Sequence, residues 1–355
     1  MHKVLIESAD YQDCQRAVAR AFELFPLDVA GKKVLVKPNV LRSGRPEESI
    51  TTHPAVLSAV VEQLKAMNPA EIIVGDNPGL MSYGANEASF EKTGLREASL
   101  GHYRNIGLDG VEVPFSPEYG GRLSVSRAVL EADVVISLPK FKTHGLTVLT
   151  GAIKNSYGIL PGAQKALLHK LAGNPLRFHE LVVDVFKLRI PDFFIMDAVI
   201  GMQGNGPAST ELRWIGKILA SDNAVAMDSV VARMMGLDPA GLRFLQKAKA
   251  DGLGDFADQT LEIVGDLTPI PDFKLPPLGG DAISHSQALQ GLIDSRAAMR
   301  PKADASRCTG CGTCVEQCPA QALTMEDNVP QVDPELCIAC FCCQEMCPEK
   351  AMSLA

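Results

Sequence analysis

Along the first 265 residues, short apolar runs rich in Val and Ile alternate with stretches of helical period. The runs at 34–36, 71–74, 134–138, 193–196, 217–220 and 261–264 have the length and composition of buried strands. Helical spacing predicts helices over 55–67, 167–188, 224–235 and 242–250, with Pro54 suited to a first turn and Thr52 to its cap. Strands separated by helices imply parallel pairing through right-handed crossovers, and so an α/β fold with a parallel-sheet, Rossmann-like layered domain. A stretch too rich in Pro and Gly to continue a sheet follows, from Thr268-Pro269-Ile270-Pro271 to Pro276-Pro277-Leu278-Gly279-Gly280. A short helix over 287–298 is expected to bridge to the C-terminal segment. The expected organisation is an α/β domain over 1–267, a linker with that helix over 268–303, and a cysteine-rich α+β domain over 304–355.

Composition narrows the class of molecule. Of 355 residues, 46% are hydrophobic and 21% charged, the profile of a globular protein. A net charge of -8, from 34 Lys+Arg against 42 Asp+Glu, provides no global basic field, so neither nucleic acid nor an anionic membrane is an expected partner. The N-terminus lacks the apolar core of a signal peptide, and the apolar runs are too short for a membrane span. A cytoplasmic location is expected.

The chemistry concentrates in the cysteines. Nine of the ten lie between Cys308 and Cys347, in two copies of C-x2-C-x2-C-x3-C-P: Cys308, Cys311, Cys314 and Cys318 before Pro319, then Cys337, Cys340, Cys343 and Cys347 before Pro348. Glu316 matches Glu345 and Ala322 matches Ala351, which reads as a duplicated half-domain. Three thiolates at this spacing suit three corners of one iron–sulfur cube, and the fourth is carried to the other cube. Two [4Fe-4S] clusters are therefore expected, one on Cys308, Cys311, Cys314 and Cys347, the other on Cys337, Cys340, Cys343 and Cys318. Zinc needs only four ligands at looser spacing, and disulfides do not suit a cytosolic chain. Cys342 and Cys14 read as small packed residues. The segment is acidic, with Glu316, Glu326, Asp327, Asp333, Glu335, Glu345 and Glu349 against Arg307 and Lys350, and so should dock on a basic face of a redox partner or of this same chain. The spacing resembles that of the bacterial two-cluster ferredoxins.

In the α/β domain the unusual residues follow strands. Lys37-Pro38-Asn39, Gly75-Asp76-Asn77-Pro78-Gly79, Pro139-Lys140-Phe141-Lys142-Thr143-His144 and Asp197 all stand where an apolar run ends. In an open parallel sheet the carboxyl ends share one edge, where ligands bind. Lys37, Lys140, Lys142 and Lys154 supply positive charge, His144 and His169 can exchange protons, and Asn39, Asn77 and Asn155 can orient a carboxylate or carbonyl, so a small anionic substrate is expected. No G-x-G-x-x-G or Walker loop is present. The glycine-dense Gly201-Met202-Gln203-Gly204-Asn205-Gly206-Pro207 suits close backbone approach to a ligand or a connection. Met227, Met234 and Met235 read as core filler, and Asp228 is the residue of that stretch to test for function.

The motifs Val34 to Asn39, Gly75 to Pro78, Leu138 to Gly145, Thr150 to Asn155 and Gly201 to Pro207 together resemble the family called domain of unknown function 362, whose members are often fused to such a ferredoxin segment. A weaker likeness is to the nickel-dependent lactate racemases: His144 precedes Lys154 by ten residues, with Pro161-Gly162 and His169 following. In that family the lysine carries a tethered nickel cofactor. This chain departs from the pattern with Gly75-Asp76-Asn77 in place of a histidine-bearing turn and Ala152-Ile153 in place of paired glycines, so the likeness implies a scaffold rather than nickel chemistry.

The leading expectation is an iron–sulfur oxidoreductase passing single electrons to or from a small anionic or carbonyl substrate at the sheet edge. In it His144 is the proton donor, Lys154 and Lys37 the electrostatic clamp and Asp76 an orienting or metal-binding carboxylate, with Lys140, Lys142, Asn39, Asn77, Asn155, His169 and Asp197 around the substrate. The rivals are an electron carrier or assembly protein whose α/β domain is a docking platform, and a non-redox isomerase on a racemase-like scaffold.

Overall fold

Every strand foreseen in the α/β domain joins a single sheet. The structure, a computed structural model, describes residues 1–79, 84–276 and 299–354. The strands run in the order Leu261–Gly265, His2–Ser8, Leu212–Ser221, Phe193–Met202, Val134–Leu138, Lys33–Pro38 and Glu71–Val74, with Lys140–His144 attached beside Phe193–Met202 and Val148–Leu149 paired to Lys140–His144. The sheet is largely parallel: Lys33–Pro38 pairs in parallel with both Glu71–Val74 and Val134–Leu138, and Val134–Leu138 with Phe193–Met202. The other half mixes directions. Phe193–Met202 and Leu212–Ser221 pair antiparallel, because the connection from Gln203 to Glu211 is too short for a helical crossover. Both arms of this hairpin outrun the apolar runs that announced them.

Helices cover both faces, so these strands are continuously apolar rather than alternating. Val34, Val36, Ile136 and Ile195 pack on the side of helices Cys14–Leu24 and Pro54–Lys65. Leu35, Val135, Phe194 and Met196 pack on the side of Pro175–Leu188, Ala224–Met234 and Arg243–Ala250. Cys14 is fully buried, as its reading as a packed residue requires. The helix expected over 167–188 is two, Gln164–Ala172 and Pro175–Leu188. Gly173 ends the first in a left-handed conformation at φ 68°, and Asn174 caps the second, its side chain accepting the Arg177 N–H at 3.0 Å ahead of Pro175.

The C-terminal segment builds a small α+β unit. Pro301–Ala303, in the stretch expected to be linker, pairs antiparallel with Met352–Leu354, and Leu323–Glu326 with Val329–Val332. A short helix carries the third cysteine of each run, Thr313–Glu316 in one half and Cys342–Met346 in the other. The duplication is physical: Ala322 N–H donates to Cys318 Sγ and Ala351 N–H to Cys347 Sγ, each at 3.3 Å. Ala339 and Phe341 of this unit join the apolar core of the α/β domain. The start of the linker lies on that domain too, through Ile270 N–H to Met234 O at 2.8 Å and an edge contact of Phe273 with Phe141. The bridging helix expected over 287–298 lies outside the described residues. Among the described residues, no helix is long and apolar enough to cross a membrane.

Candidate functional site

Two cavities in the C-terminal unit are lined by cysteines. Cys308, Cys311, Cys314 and Cys347 surround one, and Cys318, Cys337, Cys340 and Cys343 the other, so each takes three thiols from one half of the repeat and one from the other half. The donor set is all soft sulfur, with backbone N–H groups directed at Cys318 and Cys347, and it fits iron–sulfur ligation. The two places differ in exposure. Cys311 on the first is exposed, whereas no cysteine of the second is, and Ala339 and Phe341 beside the second set pack in the core of the α/β domain.

A third cavity, of about 80 Å³, lies between the two domains. By the space one water requires, this accommodates about six water-sized groups. The α/β side contributes Asn39, Asp76, Asn77, Lys142, His144, Thr150, Lys154, Asn155, Lys165 and His169, and the C-terminal side closes it with Gln317, Cys342, Glu345 and Met346. Gln317 adjoins Cys318, and Cys342 lies between Cys340 and Cys343, so the cavity wall is continuous with the second cysteine cavity. Cys342 is buried, as a packed residue should be, yet it also lines this wall.

The α/β residues reach the cavity because strands end there. Lys37, at the end of Lys33–Pro38, pairs with Asp76 at 2.7 Å, and Asp76 also accepts the Val40 N–H at 2.8 Å. Burial works against charge on both partners and their mutual attraction works for it. Gly158 permits this arrangement: a Cβ there would stand 2.1 Å from Asp76 Oδ1. Lys142 donates to Asn39 Oδ1 at 2.7 Å and Ile50 O at 2.8 Å, and Asn39 donates in turn to Asn155 Oδ1 at 3.0 Å. Burial, and then Lys154, hold the Lys142 pKa well below its ordinary value. Lys154 and Asn155 sit on helix Gly151–Asn155, whose first N–H groups, of Ala152 and Ile153, donate to buried Asp228 at 2.6 and 3.0 Å. Asp228 thus positions the helix and is absent from the cavity lining.

His144 is held from both sides. Its Nδ1 accepts the Leu146 N–H at 3.0 Å, which assigns the ring proton to Nε2, 3.0 Å from Glu345 Oε1 but off line for a hydrogen bond. Burial and then Lys154 push its pKa down to about 3. Burial opposes charge on Glu345 as well, yet His144 and Lys154 bring that carboxyl down to about 2. A neutral imidazole whose N–H faces a carboxylate does not fit the proton-donor role expected of His144; the geometry makes it the contact between the domains. The domains also meet through Gln344 Nε2 to Asn205 O at 2.8 Å, Lys350 Nζ to Ser209 O at 3.2 Å, and Met346 packed on Gly79.

Eight of the eleven sequence-derived crevice residues line this one cavity: Asn39, Asp76, Asn77, Lys142, His144, Lys154, Asn155 and His169. Lys37 stands just behind Asp76. Lys140 and Asp197 do not take part. They pair with each other at 2.7 Å at 0% exposure, because the strand carrying Asp197 continues to Met202 and so turns that carboxylate into the sheet rather than its edge. Thr150, Lys165, Cys342 and Glu345 also line the cavity, outside the set expected there from the sequence. Lys165 follows Pro161-Gly162 near the start of a helix that begins at Gln164 rather than at 167; Glu345 belongs to the acidic set expected to dock on a basic face, and it is buried against His144 of this same chain.

Comparisons with known proteins place these features in context. The model of the domain of unknown function 362 (DUF362) matches residues 34–233, and that of the 4Fe-4S dicluster domain matches residues 300–348. A thylakoid-associated protein of Synechocystis sp. is 30% identical over 264 residues, which is 69% of this chain and 78% of that protein. Among solved structures, the lactate racemase apoprotein from Thermoanaerobacterium thermosaccharolyticum superposes with a TM-score of 0.43 at 15% identity, over 65% of this chain and 56% of its own. A protein from Thermotoga maritima superposes with a TM-score of 0.38 at 12% identity, over 68% and 59%. This chain spans less than two thirds of either solved protein, and similarities of that extent say nothing about activity.

Proposed function

The chain belongs to the domain of unknown function 362 family and ends in a 4Fe-4S dicluster domain, and from that premise we propose an iron–sulfur oxidoreductase acting on a small anion in the interdomain cavity. The observation that carries the reading is the shared wall: Gln317 and Cys342, neighbours of the second set of cysteines, face the same space as Lys142, Lys154 and His169. When bound, two [4Fe-4S] clusters would accept and release electrons one at a time, on the two cysteine sets named above. The chain's own residues supply charge and orientation. Lys142, Lys154 and Lys165 line the cavity against two carboxylates, Asp76 and Glu345, of which Asp76 is already paired with Lys37, so an entering anion meets more nitrogen donors than carboxylates and draws the lysines toward their charged form. The Thr150 hydroxyl and His169 Nδ1, both buried, have no partner among the described residues and are free to bond substrate oxygens.

Electrons would enter at the outer cluster, where Cys311 is exposed and Glu316, Glu326, Asp327 and Glu349 present an acidic rim to a redox protein with a basic docking face. The test is anaerobic reconstitution followed by a screen of small carboxylates and carbonyl acids, reading cluster absorbance. About eight irons per chain are expected, with a compound that bleaches or restores the signal in the wild type but not in Lys154→Met. If no compound perturbs the clusters, the α/β domain is a docking platform; a response undiminished in Lys154→Met places the substrate elsewhere.

A further inference from the structure

Lys165 was not among the residues the sequence singled out, and the electrostatic reading uses only its charge. Its surroundings are more specific than charge requires. The ammonium nitrogen donates to two backbone carbonyls, Asn77 O at 2.5 Å and Pro78 O at 2.6 Å, both in the turn after strand Glu71–Val74. The side chain is buried and lines the cavity. From the other side Lys165 O accepts the Tyr157 hydroxyl at 3.0 Å, so backbone and side chain are both fixed. Among the described residues no carboxylate pairs directly with it, in contrast to Lys37.

A lysine nitrogen has four tetrahedral positions, one taken by its own carbon. Two of the remaining three hold hydrogens toward Asn77 O and Pro78 O whether the group is an ammonium or an amine. Only the third position changes with protonation, being a hydrogen in one state and a lone pair in the other. An anchored group that gains or loses one proton without moving is what proton transfer in a small cavity requires. We propose that Lys165 is the proton-transfer residue of this cavity. The inference rests on the proposed reading of the cavity as a site for a small anion undergoing reduction or oxidation. As a reduced substrate atom gathers charge, an N–H bond of Lys165 breaks, its electron pair stays on Nζ, and the proton passes to that atom. The neutral amine is then reprotonated from water, and the electrons come from the redox protein through the ferredoxin-type unit.

The electrostatics agree with the geometry. Burial lowers the Lys165 pKa to about 7, with Asp76 and Glu345 opposing the shift and Lys37 and Lys154 reinforcing it; His169, on the same helix, also faces it. Near neutral pH the group is then divided between its two forms, whereas His144 and His169, at about 3 and about 4, are neutral there.

Calorimetric titration of the cluster-loaded protein with oxalate and with sulfate tests this, since neither anion titrates between pH 7 and 8. An anion seated beside Lys165 should drive it fully to the ammonium, so binding should take up about 0.5 proton at pH 7 and about 0.9 at pH 8, read from the dependence of the heat on buffer ionisation. Lys165→Arg, which keeps the charge but cannot release a proton, should still bind and lose that uptake. Lys165→Met should bind at least tenfold more weakly, with iron content and cluster absorbance unchanged to certify folding. Binding to the wild type without uptake, or uptake that persists in Lys165→Arg, overturns the role of Lys165 and leaves the anion site standing. Failure of both anions to bind the wild type removes the anion site and this inference with it.

Discussion

Replacing Asp197 should damage the fold and leave the cavity chemistry alone, a prediction that separates the Lys140–Asp197 pair from the site to which the sequence would assign it. Asp197 accepts Lys140 Nζ at 2.7 Å and the Val199 N–H at 3.3 Å within the sheet, and the His53 N–H at 2.8 Å and the Tyr11 hydroxyl at 3.1 Å from the loops beside it. Asp197→Ala strands a buried ammonium, which costs about 3–5 kcal/mol, and removes the acceptor of the His53 N–H, worth about 1–3 kcal/mol. Lys140 can escape part of the first penalty by losing its proton, so about 5 kcal/mol is a fair total, comparable with the whole stability of many domains. Asp197→Asn keeps the shape and an acceptor and should cost about 3 kcal/mol, nearly all from the lost ion pair. Combining it with Lys140→Met removes both charges, so the double variant should be more stable than the sum of the single losses by about 2 kcal/mol or more. The assay is anaerobic urea unfolding followed by helical circular dichroism, as a double-mutant cycle. Single losses below about 1 kcal/mol that simply add would refute a structural pair. Loss of the anion response in folded Asp197→Asn would return these residues to the site.

Further outcomes follow from the same geometry. Gly158→Ala places a methyl group 2.1 Å from Asp76 Oδ1 and 2.8 Å from Lys37 Nζ, so it should abolish anion binding while iron content is retained; binding within twofold of wild type would show the pair to be dispensable. Burial, opposed by the Ala152 and Ile153 N–H groups, raises the Asp228 carboxyl to about 7. Its folded pKa exceeds the unfolded one, so its contribution to stability is complete below about pH 4 and declines as pH climbs through 7, by at most about 4 kcal/mol. Asp228→Asn should flatten that decline in urea midpoints measured from pH 5 to 8, and an unaltered slope would contradict the assignment. In the cysteine repeat, Cys318→Ala should disturb the cluster built on Cys337, Cys340 and Cys343, and selective loss of the other cluster would show that the ligands are not exchanged between halves.

Much of this protein was legible in its residues, because local chemistry carried the signal. Val-rich runs bounded by polar turns located the strands, and Gly173 followed by Asn174-Pro175 already contained the break between two helices, although the apolar period across it concealed the stop. The duplicated C-x2-C-x2-C-x3-C-P spacing announced both cysteine groups. A rule about strand ends gathered Asn39, Asp76, Asn77 and Lys142 at one edge before any distances were known.

Tertiary structure decided what depends on partners remote in sequence. Asp197 resembles a strand-end carboxylate until the hairpin carries its strand on to Met202 and encloses it with Lys140. Glu345 has the composition of an exposed acid, yet docking of the C-terminal unit seats it 3.0 Å from His144 and turns that histidine into an interdomain contact. Cys342 and Lys165 become neighbours of one cavity only when the two domains close on it. Spacing fixes which atoms a short segment can bring together; charge state and role follow from burial and from the groups opposite, which chain order does not reveal.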